Sequence, residues 1–328
     1  MQIAGIPIQS RAFLAPMSGV TDIVMRRIAG RFRAGVVVSE MVASDEFVRG
    51  SEEARIRAEG QGVSPHVVQL AGCDPHWLGE AARLAEANGA AIVDINMGCP
   101  AKKVTGGWAG SALMRDLDHA VSLVEAAVAA VTIPVTVKMR LGWDDASRNA
   151  PELARRAVDA GARLITVHGR TRQQFYKGKA DWRAIAAVRA AGTFPLVANG
   201  DIHDVEDARA CLDQSGADFV MVGRAALGRP WLVGAIGAAL DGLPMPSVTL
   251  ADKLAMAREH YEGLLGLMGV SHGVRHARKH LAAYADDALA EGCEADPERR
   301  RILLTSEEPR QVLAALTGLF STERREAA

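Results

Sequence analysis

The stretch Gly89-Ala90-Ala91-Ile92-Val93-Asp94-Ile95-Asn96-Met97-Gly98-Cys99-Pro100 holds the pattern that decides the fold. A glycine ends a helical stretch, a Val/Ile-rich run follows, and the run closes on a polar residue and a tight turn. The glycine suits the left-handed position beyond a helix C-terminus. The run lacks strict polar alternation, as expected of a parallel strand covered by helices. The same unit recurs in both directions. Strands are expected at Phe13–Met17, Val36–Met41, His66–Ala71, Ile92–Met97, Val135–Arg140, Leu164–Gly169, Pro195–Gly200 and Phe219–Arg224. Between them Glu80–Asn88, Ala120–Ala130, Glu152–Ala160 and Val205–Asp213 carry apolar residues at helical spacing, and Gly161 and Gly216 repeat the glycine stop. Eight strands alternating with helices predict an α/β chain closed into a (β/α)8 TIM barrel rather than an open doubly wound sheet.

The 328 residues accommodate such a barrel plus an appendage. Asp241-Gly242-Leu243-Pro244-Met245-Pro246 reads as a linker, because two prolines and a glycine do not continue a helix. Beyond it Thr249–Leu267, Val274–Asp286, Pro297–Leu304 and Ser306–Phe320 read as helices, with Thr249 capping the first and Ser306 opening the last. The expected division is a catalytic barrel over 1–242 and a C-terminal all-helical domain over 243–328, fraying at Glu323–Ala328. A net charge of -1 excludes a globally basic nucleic-acid binder and leaves only local patches. Met1–Ser10 has no signal-peptide character and no apolar run is long enough to span a bilayer, so a cytoplasmic chain without membrane contact is expected. Cys73, Cys99, Cys211 and Cys293 show no CxxC spacing, which argues against zinc and against a disulfide framework; no metal is expected.

Function in this architecture sits where strands end. Those positions read Ala15-Pro16-Met17, Ser39-Glu40-Met41, Gln69, Asn96 to Pro100, Lys138-Met139-Arg140, His168-Gly169-Arg170, Asn199-Gly200-Asp201 and Gly223-Arg224. Each has a bland explanation alone: a satisfied amide at Gln69, an ion pair at Lys138, a hydrogen-bonded rim residue at His168. Together they converge on one opening. The last two strand ends, with Ala225–Trp231 as a short extra helix, match the phosphate site common in such barrels. Glycine lets backbone N–H groups approach an anion, and Arg224 offers a planar fork. No GxGxxG follows the first strand, so a Rossmann dinucleotide site is not supported. Flavin mononucleotide fits the remainder. The Gln69 amide can pair with the pyrimidine edge, and Lys138 can face the N1/O2 region, where negative charge develops on reduction. Cys99, exposed by a Gly-Cys-Pro turn, could be a nucleophile, a redox partner or an acid. With no CxxC and no Cys–His–Asn order, general acid is the remaining role.

The chain resembles the tRNA-dihydrouridine synthases, and within them the bacterial B-type. The matching stretches are Ala15-Pro16-Met17-Ser18-Gly19-Val20-Thr21-Asp22, Asp94-Ile95-Asn96-Met97-Gly98-Cys99-Pro100-Ala101-Lys102-Lys103-Val104, Val167-His168-Gly169-Arg170-Thr171-Arg172 and Ala198-Asn199-Gly200-Asp201-Ile202. Met221 to Trp231 and Arg275-His276-Ala277-Arg278-Lys279-His280-Leu281 extend the resemblance into the C-terminal part. It implies an FMN-dependent, NADPH-driven reduction of the C5–C6 bond of tRNA uridines to 5,6-dihydrouridine. Cys99 would protonate C5 while hydride reaches C6. Pro16, Met17, Ser18, Gln69, Lys138, His168, Asn199, Gly200, Asp201, Gly223 and Arg224 would hold FMN, and Asn96 would orient the flipped uracil.

A tRNA substrate also needs a phosphate-tracking surface. Arg275, Arg278 and Lys279 fall at i, i+3 and i+4 on one helix face, with His272, His276 and His280 beside them. Lys102 and Lys103 follow Cys99, and Arg170, Arg172, Lys177 and Lys179 follow the sixth strand. Such runs alone are most often solvated faces, and the resemblance is what points them at RNA. The rival expectations are an FMN barrel acting on a free pyrimidine or quinone, and a non-catalytic RNA-binding barrel. No protein partner is inferred and a monomer is expected.

Overall fold

The computed structural model describes residues 1–320, so the tail Glu323–Ala328 lies outside the described residues. An antiparallel hairpin, β1 (Gln2–Ile3) and β2 (Ile6–Pro7), opens the chain. The barrel strands are β3 (Ala12–Leu14), β4 (Val36–Ala43), β5 (His66–Ala71), β6 (Ile92–Met97), β7 (Val135–Arg140), β8 (Ile165–His168), β9 (Leu196–Asn199) and β10 (Phe219–Val222). All pair in parallel and in order, and β10 closes on β3 through Val220 opposite Ala12 and Val222 opposite Leu14. The chain is therefore a closed (β/α)8 barrel followed by C-terminal helices.

The first strand is shorter than the expected Phe13–Met17. Ala15 still donates its N–H to the Val222 carbonyl, but Pro16 has no N–H to continue the ladder. Between β4 and β5 the register shifts from Val38 to Met41, and the Ser39 hydroxyl accepts the Gln69 N–H at 2.9 Å where the ladder is interrupted. Helices end as their glycines suggest: Gly161 stands at φ 109° and Gly216 at φ 64°, conformations costly for residues with a Cβ. The expected short helix at Ala225–Trp231 is instead a single 3-10 turn, Arg224–Ala226, because Gly228 (φ 75°) and Pro230 interrupt it; a full helix follows at Leu232–Leu240.

Side-chain parity sorts the interior. Phe13, Val36, Val38, Val67, Ile92, Leu164, Val197, Phe219 and Met221 form one buried apolar cluster inside the barrel, together with Ile3 and Ile8 from the N-terminal segment. A second layer, including Leu14, Val37, Val68, Val93, Val137, Ile165 and Val220, packs outward against the helices. Each strand thus buries both faces, which removes the alternation that a half-exposed strand would show.

After the linker the helices are Leu250–Met268, Val270–Ala290, Pro297–Thr305 and Pro309–Leu319. Thr249 caps the first in a reciprocal box with Asp252. Ser306 does not open the last; Glu308 takes the cap position and Pro309 the first turn, and Ser306 accepts the Glu308 N–H instead. These helices share an apolar cluster with Ile23, Val24 and Ile28 of the Ile23–Arg31 helix. Buried polar contacts join the same elements. Asp22 caps that helix through the N–H groups of Val24 and Met25 and lies 3.1 Å from His260 Nε2. Burial alone would raise the Asp22 carboxyl; attraction to His260 and His280 and the bonds it accepts hold it well below the usual carboxylate range. Among the described residues no helix is long and apolar enough to cross a membrane.

Candidate active site

On β5, β6 and β9 the inward column is apolar at its N-terminal end and polar at its C-terminal end: Val67 then Gln69, Ile92 then Asp94 and Asn96, Val197 then Asn199. Strand register sets these polar residues side by side. Gln69 stands opposite Asp94, Asn96 opposite Lys138, Arg140 opposite His168, and His168 opposite Asn199. All of these but Asp94 line a cavity of about 450 Å³, within the range of small-molecule sites. Pro16, Met17, Ser18, Gln69, Asn96, Cys99, Lys138, His168, Asn199, Gly200, Asp201, Gly223 and Arg224 all line it. Cys99, after β6, stands four places around the eight-stranded ring from Gly223 and Arg224, after β10, hence across the mouth.

The turn bearing Cys99 is held from three sides. Asn96 Oδ1 accepts the N–H groups of Gly98 (3.1 Å) and Cys99 (2.9 Å), and Asn96 Nδ2 donates to Gln69 Oε1 at 2.7 Å. Gln69 in turn donates to Asp94, whose other oxygen accepts from Thr136. Part of the hydrogen-bonding capacity of Asn96 and Gln69 therefore goes into shaping the Cys99 turn. The second support is Arg140, 2% exposed, whose Nε donates to the Gly98 carbonyl at 2.8 Å. The Ser111 N–H and hydroxyl both bond the Cys99 carbonyl. Cys99 itself stays half-buried with a free thiol, whereas Cys211 is core, its thiol pushed up to about 12 by burial and then by Asp207.

Cations dominate the floor. Lys138 donates to Asn199 Oδ1 at 3.1 Å; burial first, then Arg140, lowers its ammonium to about 8. His168 is held well below its ordinary value by burial and by Arg140, Lys138, Arg170 and Arg224, so it stands as a neutral imidazole. Gly200 is obligatory beside it, since a Cβ there would lie 2.7 Å from His168 Cδ2. At Gly223 the contrast is informative: nothing lies nearer than 3.9 Å to a Cβ, and the space opens into the cavity. Arg224 is largely exposed, with its guanidinium 5.0 Å from the Tyr176 ring centre and 3.5 Å from Asp201.

Some residues sit differently from the sequence reading. Arg170, expected among solvated cations after the sixth strand, is 2% exposed and forks onto both oxygens of Asp201 at 3.0 and 2.5 Å. Closure of β8 against β9 brings the two loops together. Arg275, Arg278 and Lys279 share a helix but do not form one open stripe. Arg275 lies 3.6 Å from Glu307, Arg278 donates to the Thr305 carbonyl, and Lys279 reaches the barrel lip, where a Cβ on Gly19 would lie 2.7 Å from its Nζ. His280 is buried beside Asp22, so of the three histidines only His272 is exposed. Arg140 was visible as a strand-end residue, but its grip on the Cys99 turn was not. Met41, Phe175, Tyr176, Ile202 and His203 also line the cavity. Adjacent aromatics in a polar loop, Gln174-Phe175-Tyr176-Lys177, were the available signal in a chain with 5% aromatics.

The sequence description of the family Dihydrouridine synthase (Dus) matches residues 13–321. A probable tRNA-dihydrouridine synthase of Rhizobium leguminosarum bv. phaseoli is 52% identical over 312 residues, covering 94% of this chain and 95% of that protein. The corresponding protein of Rhodobacter capsulatus is 51% identical, covering 96% and 95%. The tRNA-dihydrouridine synthase B of Xanthomonas axonopodis pv. citri is 46% identical, covering 88% and 87%. Among solved structures, a variant of NCR from Zymomonas mobilis aligns with TM-score 0.53 at 18% identity over 77% of this chain and 93% of that one. A 2-naphthoyl-CoA reductase bound to 2-naphthoyl-CoA aligns with TM-score 0.57 at 13% identity, covering 74% and 52%. At these identities the two structures speak to the barrel fold.

Proposed function

Because the chain belongs to the dihydrouridine synthase family, whose members are flavin-dependent oxidoreductases, we propose that it binds FMN, takes electrons from NADPH and reduces uridines in tRNA to 5,6-dihydrouridine. The observation that carries this reading is the free Cys99 thiol facing, across one cavity, the open cradle at Gly223 and Arg224 with Lys138 on the floor.

The residues fit FMN. The space over Gly223 admits an anion against the backbone, the first N–H groups of the Arg224–Ala226 turn have no carbonyl within that turn to bond, and Arg224 supplies charge. Ala15, Pro16 and Met17 offer a flat apolar wall, and His168, Asn199, Gly200 and Ser18 complete the enclosure. Asp201 acts through Arg170, fixing the loop that closes the phosphate side. FMN, when bound, supplies the hydride that reaches C6 of the uracil.

The chain's own side chains do the rest. The target base leaves its stack to enter the mouth. The Cys99 thiol gives its proton to C5 as C6 gains hydride, so that the ring gains two hydrogens and the thiolate is reprotonated from solvent. Asn96 and Arg140 hold the thiol at its post, and Asn96, which lines the cavity beside it, orients the uracil. The Lys138 ammonium stabilises negative charge at the floor. Residues 1–242 form the catalytic unit and 243–328 the tRNA-binding unit, with Arg275, Arg278 and Lys279 contacting phosphate. The test is to incubate the FMN-loaded protein and NADPH with unmodified tRNA and to measure dihydrouridine by mass spectrometry. Flavin-loaded protein that forms none overturns the reading.

A further inference from the structure

The loops after β6, β7 and β8 carry a stack of alternating rings and guanidinium groups that the reaction leaves unused. Arg115 Cζ lies 5.1 Å from the Trp108 ring centre and 5.0 Å from that of Trp143, and Arg172 Cζ lies 4.8 Å from Trp143. The order along the rim is Trp108, Arg115, Trp143, Arg172. Trp108 is 58% exposed and holds φ 60°, an unfavourable conformation for a bulky residue that presents its ring outward.

The two arginines are the informative members. Asp116 follows Arg115, and Asp144 and Asp145 follow Trp143, yet among the described residues neither Arg115 nor Arg172 is ion-paired. The carboxylates are engaged elsewhere: Asp116 with the His119 N–H, Asp144 with Ser147, Asp145 with Arg148. The guanidinium faces are therefore stacked while their N–H edges remain unspent, and Arg172 Nε is buried without a partner. Stacked guanidiniums with free edges suit phosphate, and exposed indoles suit base faces. A protein partner with an apolar face would leave those cations desolvated and unpaired, which is unfavourable.

The stack is also continuous with the mouth. At one end Ser111, three residues beyond Trp108, bonds the Cys99 carbonyl. At the other, the Arg172 carbonyl accepts the N–H of Phe175, which lines the cavity with Tyr176. We propose that this stack is an RNA-docking surface for the nucleotides flanking the target uridine. Trp108 stacks a neighbouring base, and Arg115 and Arg172 take backbone phosphates. The inference rests on the tRNA reading above and adds where on the barrel the strand lies.

The test compares Trp108→Ala and Trp108→Phe with wild type, all FMN-loaded, using unmodified tRNA. Loss of one stacked base corresponds to roughly a five- to hundredfold loss of affinity. The expected result is a rise of that order in Kd and KM for Trp108→Ala, largely rescued by Phe, with NADPH-driven flavin reduction in the absence of tRNA unchanged. Arg115→Ala should weaken binding and reduce its salt dependence. A Trp108→Ala Kd within twofold of wild type overturns the proposal, whether the variant melts earlier, as a loop staple would, or self-associates less, as a contact between copies would. Wild type that binds tRNA but forms no dihydrouridine refutes the catalytic reading alone, because the Kd comparison still decides the docking surface.

Discussion

Replacing Asp201 by Ala removes the carboxylate that neutralises the buried Arg170 guanidinium. The wild-type carboxylate accepts both Arg170 Nη groups and the Ala180 N–H at 2.8 Å. The variant leaves a guanidinium 2% exposed with the Lys177 and Gly178 carbonyls and His168 Nε2, 3.4 Å from one Nη, and orphans one N–H. Breaking one side of a buried pair costs about 3–5 kcal/mol. Asp201 keeps 20% side-chain exposure and two carbonyls stay on Arg170, so the lower end, about 3 kcal/mol, is expected. With an unfolding entropy of about 2.1 cal/mol/K per residue, that lowers Tm by roughly 4–5 °C. Burial alone would raise the Asp201 carboxyl, but the bonds from Arg170 and Ala180 and the charges of Arg170 and Arg224 hold it below its ordinary value. A depressed folded-state pKa gives stability that is full above the unfolded carboxylate range and fades as pH falls through the folded value. The gap between wild type and Asp201→Ala should therefore narrow below about pH 4. Thermal and urea unfolding across pH measure it. A Tm within 1 °C of wild type at neutral pH, or a gap that widens on acidification, refutes the reasoning.

Three further outcomes follow from the same geometry. Cys99→Ala should keep its flavin but form dihydrouridine at least about a hundredfold more slowly, as loss of a general acid implies; full turnover by mass spectrometry would exclude the acid role. With its ammonium lowered to about 8 by burial and then by Arg140, Lys138 loses its charge as pH rises through that value. The rate should fall on that alkaline limb, and Lys138→Met should be slow with a flat profile; a wild-type rate that stays level well above pH 8 counts against this. Asp22→Ala should destabilise more than Asp22→Asn, by about 1 kcal/mol, because Asn can still cap the Ile23–Arg31 helix while both lose the carboxylate beside His260. Equal midpoints in urea would show that the cap contributes little.

The sites that sequence patterning located well are those set by local rules. β5, β6 and β7 match their expected limits residue for residue, and Thr249 caps its helix as read. Misreadings arose where local signals compete with closure. Ala225–Trp231 has helical composition, yet Gly228 and Pro230 limit it to one turn. Arg170 looks like a rim cation, because nothing within its own segment reveals Asp201, 31 residues away in the chain. Arg275, Arg278 and Lys279 obey helical spacing, but spacing does not say which side meets Glu307, Thr305 or Gly19.

By itself the sequence determined the eight barrel strands (though not the β1–β2 hairpin), the glycine helix stops and the chemical inventory from Pro16 to Arg224, since these depend on backbone preferences and on which side chains exist. Only the tertiary structure decided how that inventory is used. Closure of the ring fixes strand register, and register fixes which residue of each strand faces inward and which neighbour it meets, because side chains alternate with a period of two. Arg140 thus became the anchor of the Cys99 turn and Asp201 the partner of Arg170. The Trp108 to Arg172 stack needs three separate βα loops in contact, an arrangement that exists only once β6, β7 and β8 lie side by side.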